Sequence, residues 1–221
     1  MKILVINPNT NKALTEEIVN QATKSVSKDT IIEGFSPIQG PLSITCEKDE
    51  KYSEKYCLEE LGNCLEKVDG IVIACYSDHS LIKTLRSKIN TPVVGIMEAS
   101  LTFADQLGKS PLIVTSGNSW IPTLSNYLNL TNRRGIVRAI DLEADELFSL
   151  RDSLAEKIYI QVQDFLSSNN YALCLGCSAM TGIEKLVQKN VSWPVVDGVK
   201  AAVMMTKNLI KVSNRYYEDY H

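Results

Sequence analysis

Only two histidines, His79 and His221, occur in the 221-residue chain, so a Cys/His zinc site has few ligands to draw on. Positive charge is not in surplus either. Lys and Arg number 23 against 26 Asp and Glu, and the net charge of -3 argues against a phosphate backbone as partner. The longest apolar runs, at 71–76 and 201–205, fall far short of the ~20 residues that a membrane helix requires. Near the amino terminus, residues 3–6 are too few for the core of an export signal. The six cysteines lack the dense, even spacing of a stapled secreted scaffold, so reduced thiols and a cytoplasmic location are expected. What remains is a composition 44% hydrophobic, 22% charged and 7% aromatic, in the soluble globular range. A chain of this length buries roughly 70% of its unfolded surface and folds without a staple.

Short β-branched runs alternate with longer helical stretches, which predicts βαβ units around parallel sheets. Strands are expected at 2–6, 31–35, 71–74 and 93–96, and again at 112–115, 135–140, 171–175 and 195–196. Helices are expected at 12–25, 52–67, from about 79, at 98–107, 120–128, 144–167 and 201–212. Cys57, Leu61, Cys64 and Val68 recur at helical spacing, placing Cys57 and Cys64 in the core. Asp78 reads as the N-cap of the third helix, with His79 in its first turn. The tail at 216–221 reads as a frayed helix end or an oligomer contact.

The order of elements repeats, and so do the letters. Cys75 and Cys177 are 102 positions apart, as are Pro92 and Pro194, and each cysteine closes an apolar strand. The stretch 3–10 matches 112–119, 109 positions on. Two pseudo-symmetric Rossmann-like lobes are therefore expected, each with a mainly four-stranded parallel sheet flanked by helices and the active site in the cleft between them. One lobe takes residues 1–97 and 198–221, the other 98–197.

In open parallel sheets, ligands bind beyond the carboxyl ends of the strands, where helix amino termini point inward. Cys75 and Cys177 sit at such ends, and helix termini there would lower a thiol pKa from about 8.5 toward neutrality. Two thiols flanking a carbon next to a carbonyl can invert it without a cofactor or metal. One, as thiolate, removes a proton while the other, as thiol, returns one to the opposite face. The enolate so formed needs donors. Asn7, Asn9, Thr10, Thr115 and Ser116 are candidates, with the backbone N–H groups of Tyr76 and Ser178. Glu98 and Asp197 occupy equivalent places after the fourth strand of each lobe, to contact substrate or to cap the following helices. Cys174 and Cys177 also spell C-x-x-C, but Cys174 falls inside a strand, which disfavours a redox dithiol. Trp120 and Trp193 read as packing residues.

The ordered set Asn7-Pro8-Asn9-Thr10, Ala74-Cys75-Tyr76-Ser77-Asp78, Glu98-Ala99-Ser100, Thr115-Ser116, Leu175-Gly176-Cys177-Ser178 and Pro194 to Val199 resembles the aspartate/glutamate/hydantoin racemase superfamily. Within it the hydantoin and allantoin racemase branch fits best. Ser77-Asp78-His79 stands where many bacterial members have Gly-Asp-Pro, as in fungal hydantoin-racemase-like proteins. The resemblance implies a cofactor-independent racemase with Cys75 and Cys177 as its bases. Tyr76, Ser77, Gly176 and Ser178, beside the thiols, complete the candidate substrate contacts. It also implies a homo-oligomer acting on a small molecule. No Arg or Lys lies in the strand-end motifs, which favours a neutral cyclic ureide over a carboxylate substrate. Two rivals stay open: isomerisation or decarboxylation of a small dicarboxylic acid, and non-catalytic small-molecule binding.

Overall fold

The structure is a computed structural model that describes residues 1–142 and 144–219. His221 and the side chains of the tail at 216–221 lie outside the described residues. Two four-stranded parallel sheets form the frame. The first comprises β1 (Lys2–Ile6), β2 (Ile31–Phe35), β3 (Gly70–Ile73) and β4 (Val93–Gly95), in the order β2-β1-β3-β4. The second comprises β5 (Ser110–Thr115), β6 (Ile136–Ala139), β7 (Tyr171–Gly176) and β8 (Val195–Asp197), in the order β6-β5-β7-β8. Helices cover the faces, so central strands such as Ile71, Val72 and Ile73 are apolar without alternation and fully buried.

The helices are α1 (Lys12–Lys24), α2 (Glu47–Leu61), α3 (Ser80–Lys88), α4 (Ile96–Gln106), α5 (Trp120–Leu130), α6 (Ala144–Ser149), α7 (Arg151–Val162), α8 (Glu184–Val187) and α9 (Gly198–Asp219). Among the described residues, no helix is long and apolar enough to cross a membrane. The letter repeat is also a repeat of hydrogen bonds. Ile71 pairs with Val93 and donates its N–H to Pro92 O at 2.8 Å; Leu173 pairs with Val195 and donates to Pro194 O at 2.9 Å. The lobes exchange helices. α4 follows the last strand of the first sheet yet packs on β5, β7 and β8, whereas α9 follows β8 and packs on β1, β3 and β4. That second contact is close: a Cβ on Gly70 of β3 would lie 2.4 Å from Thr206 Cγ2 of α9. One continuous apolar core therefore runs from Val5 and Val72 through Ala99 and Ala202 to Ile113 and Leu173.

Local details depart from the sequence expectations. The helix expected at 52–67 starts earlier, at Glu47, and ends at Leu61, followed by a 3-10 turn over Gly62–Lys67. Gly62, at a φ of 39°, breaks the helical phase. Cys57 is buried as expected, but Cys64 is turned out to solvent. The long helix at 144–167 is interrupted at Leu150. The N-cap of α3 is His79 rather than Asp78: its ring accepts the Leu81 N–H at 3.2 Å, while Asp78 pairs with Lys83 at 2.7 Å.

Candidate active site

The carboxyl ends of the four inner strands converge on one small cleft, partly open to solvent. From the first sheet, Asn7 and Asn9 follow β1, and Cys75 and Tyr76 follow β3; from the second, Thr115 and Ser116 end β5, and Gly176, Cys177 and Ser178 end β7. Cys75 and Cys177 thus reach the same cleft from opposite sheets. Each is half-buried, and their charges act on one another. No charged side chain lines the cleft among the described residues.

The polar groups are held by a defined network. Asn7 Nδ2 donates to Asn9 Oδ1 at 2.8 Å and Thr15 Oγ1 at 2.9 Å, with Asn11 O at 3.3 Å. Asn9 Oδ1 also accepts the Asn11 N–H, which fixes the orientation of both amides. Asn7 Oδ1 is left buried with no hydrogen-bond partner among the described residues. Thr115 Oγ1 donates to Gly176 O at 3.0 Å, tying the ends of β5 and β7 together beside Cys177. The Ser100 hydroxyl donates to Met97 O at 2.9 Å, so the Tyr76 phenol, 2.7 Å away, donates to Ser100 and faces the core.

Electrostatics at Cys75 oppose the expectation from helix termini. Burial pushes its thiol up to about 12; the Glu50 carboxylate adds to this, the Ser77 hydroxyl partly offsets it, and Cys177 raises it further. α3 does not begin until Ser80, and Cys177 is followed by a 3-10 turn over Ser178–Met180, so neither cysteine stands at the start of the α-helix that follows its strand.

Four candidate residues lie away from the cleft wall. Thr10 turns its hydroxyl toward Pro41 O at 3.4 Å. Ser77 sits behind Cys75, with its Oγ 3.5 Å from the sulfur. Glu98 caps α4 by accepting the Gly95 N–H at 3.0 Å and pairs with Arg86. Asp197 accepts from Thr181 Oγ1 and Gly182 N, both at 2.8 Å, and from Val199 N at 2.9 Å, stitching the Cys177 turn to the start of α9. Both carboxylates therefore serve as helix caps. Sequence reasoning missed Pro8, Ser43, Ile44 and Ala74 on the wall and assigned Trp120 to packing alone, although it too lines the cleft. It also missed Glu50, whose effect on Cys75 depends on where α2 begins. Three acidic residues, Glu47, Asp49 and Glu50, mark that first turn and are the signal that could have found it.

A fold with paired strand-end thiols in one cleft can be set against known proteins. The profile of the Asp/Glu/hydantoin racemase family matches residues 3–206. The chain belongs to that family. It is 31% identical to the hydantoin racemase of a Pseudomonas species over 228 residues, covering 97% of this chain and 88% of that protein. Among solved structures, the allantoin racemase from Pseudomonas fluorescens superposes with a TM-score of 0.88 at 29% identity, over 96% of this chain and 92% of the other. The allantoin racemase from Klebsiella pneumoniae gives 0.87 at 30% identity, over 96% and 89%. As a racemase of this family, the chain is an isomerase that acts on a small molecule.

Proposed function

We propose that the protein racemises a cyclic ureide, allantoin or a 5-substituted hydantoin, by two-base proton transfer between Cys75 and Cys177 without a cofactor. The observation that carries this reading is the arrival of both thiols, from symmetry-related strand ends, in one cleft whose walls bear no charged side chain. A carboxylate substrate would call for a cation there; a neutral ring does not.

The ring carbon between a carbonyl and a nitrogen lies between the sulfurs. One thiolate takes its hydrogen, forming the enolate and a thiol. The other thiol then delivers its proton to the opposite face and becomes the thiolate. Hydroxyls of Ser116 and Ser178 and the backbone N–H groups of the strand-end turns are the donors for the enolate oxygen. A thiol held near 12 is a strong base once ionised, matched to a weakly acidic C–H bond. In the same reading the protein is a cytoplasmic homo-oligomer, and its lobes divide at 97/98 and 197/198, as the exchange of α4 and α9 supports.

The test incubates single enantiomers of allantoin and 5-benzylhydantoin in D2O with wild type, Cys75→Ala and Cys177→Ala. Wild type should incorporate deuterium with inversion, whereas each variant should lose racemisation by about 10²–10⁴-fold. Wild-type rates in either variant would refute the assignment.

A further inference from the structure

Two-base racemisation makes a particular demand on this fold. Two sulfurs must stand on opposite sides of one carbon, and each is carried by a different sheet. A displacement of about 1 Å between reacting groups can cost about 10²-fold in rate, so one strand end has to be set against the other.

The turn that follows Cys177 is anchored from both halves of the molecule. Met180 N–H donates to Cys177 O at 3.0 Å and Thr181 N–H to Ser178 O at 3.1 Å, which ties residues 177–181 into one piece. Thr181 is 1% exposed and donates from Oγ1 to Asp197, as Gly182 does from its N–H. On another side Arg151, the first residue of α7, donates from Nη2 to Thr181 O at 2.7 Å. The same Nη2 lies 3.2 Å from Glu17 Oε1 on α1, and both side chains are mostly buried. Gln21 Nε2 donates to that Glu17 oxygen at 2.7 Å. A Cβ on Gly182 would lie 2.4 Å from Gln21 Cδ, so α1 also touches the turn directly. Since α1 follows β1 and packs on β2, Arg151 joins a helix of the first sheet to the turn that carries the thiol of the second. The turn after Cys75 is tied differently. Its bonds run to α2 and α3 of its own half, from His79 to Ser53 and from Asp78 to Lys83. Glu98, in the place that Asp197 takes in the other lobe, binds Gly95 and Arg86 instead.

We propose that Arg151 is a positioning residue: held by Glu17 and holding Thr181, it sets the Cys177 turn against the half of the molecule that carries Cys75. It does not line the cleft and acts through the turn. A guanidinium suits the task because its planar fork keeps two acceptors in a fixed relation, whereas a lysine ammonium is a point charge on a flexible stem. Asp197 completes the arrangement by gripping Thr181 Oγ1 and Gly182 N from the side of β8.

This role rests on the two-cysteine reading but has its own readout. Each enantiomer of 5-benzylhydantoin or allantoin, whichever wild type racemises, is compared with the same enantiomer deuterated at the ring carbon. One sulfur abstracts from one enantiomer and the other sulfur from its mirror image. Misplacing Cys177 alone slows transfer at that sulfur. The primary isotope effect on kcat/KM should then rise for the enantiomer whose hydrogen faces Cys177 and fall for the other. Arg151→Ala should show this opposite shift with kcat/KM about 10²-fold lower. Glu17→Ala, at a partly exposed helix position that alanine suits, should show the same shift with a smaller loss. Glu17→Gln keeps an oxygen for Arg151 and should lie near wild type. A general loss of folded enzyme lowers the rate and leaves both isotope effects unchanged. Wild-type rates in both alanine variants would overturn the proposal, and so would isotope effects that stay put or move together. Wild type inert toward both rings, or undiminished racemisation by Cys75→Ala or Cys177→Ala, would instead defeat the two-cysteine reading, and the role of Arg151 with it.

Discussion

Acid should weaken this fold through one buried ring. His79 is fully buried, and its Nδ1 accepts the Leu81 N–H, so the neutral ring carries its hydrogen on Nε2, which donates to Ser53 Oγ of α2 at 3.0 Å. An imidazolium has no acceptor left for the Leu81 N–H, and protonation breaks the cap of α3. Burial accordingly lowers the His79 pKa from 6.5 to about 4, with Glu54 opposing. The unfolded chain binds the proton more readily, so the contribution is present above about pH 6.5 and is lost as pH falls toward about 4. At about 1.4 kcal/mol per pKa unit the whole effect is about 3 kcal/mol, of which about 2 kcal/mol falls between pH 7 and pH 4.5. Urea unfolding of wild type and His79→Asn at those two pH values isolates it, because asparagine keeps an acceptor for Leu81 and cannot ionise. Groups such as Asp197, whose pKa burial raises, are common to both proteins and drop out of the difference. Wild type should lose about 2 kcal/mol more than the variant on acidification. Equal losses would refute both the neutral ring and its cap.

Gly176→Ala should destabilise and inactivate together. The new Cβ would stand 2.8 Å from Ile113 Cγ2 and from the Val114 carbonyl oxygen, and the backbone cannot yield as a side chain does. Overpacking of that kind costs about 1–3 kcal/mol, a drop in Tm of roughly 2–10 °C for a chain of this size, and it displaces Cys177. Cys57→Ser and Cys64→Ser should separate in urea unfolding. The first buries a hydroxyl in an apolar cluster at a cost of about 1–3 kcal/mol, and the second changes an exposed side chain by less than about 0.5 kcal/mol.

The sheets were legible because doubly covered strands must be apolar throughout: Ile71 to Ile73 and Leu112 to Val114 announce themselves without their partners. Cys75 and Cys177 could be placed at strand ends because the 102-residue spacing links them to Pro92 and Pro194, whose carbonyls do accept equivalent bonds. What stayed hidden turns on a break in helical phase, on the backbone bonds of two carboxylates and on the packing of the assembled lobes. Cys64 has the right spacing for a buried face, but a glycine two residues earlier turns the chain. Glu98 and Asp197 look alike as carboxylates beside a cleft; the bonds they accept from Gly95 N–H and Val199 N–H make them caps, and Asp197 alone also reaches Thr181 and Gly182. The rise in the Cys75 pKa comes first from burial, a property of the assembled lobes rather than of the strand that carries it.

The trade of α4 for α9 also decides where the molecule can give way. A rocking of one half on the other would have to drag two roof beams across sheets they do not belong to, against contacts as tight as Gly70 on Thr206. Sulfur-to-sulfur spacing is thereby set by the masonry, and the span between β2 and α2, which brings Ser43 and Ile44 to the cleft wall, belongs to neither sheet.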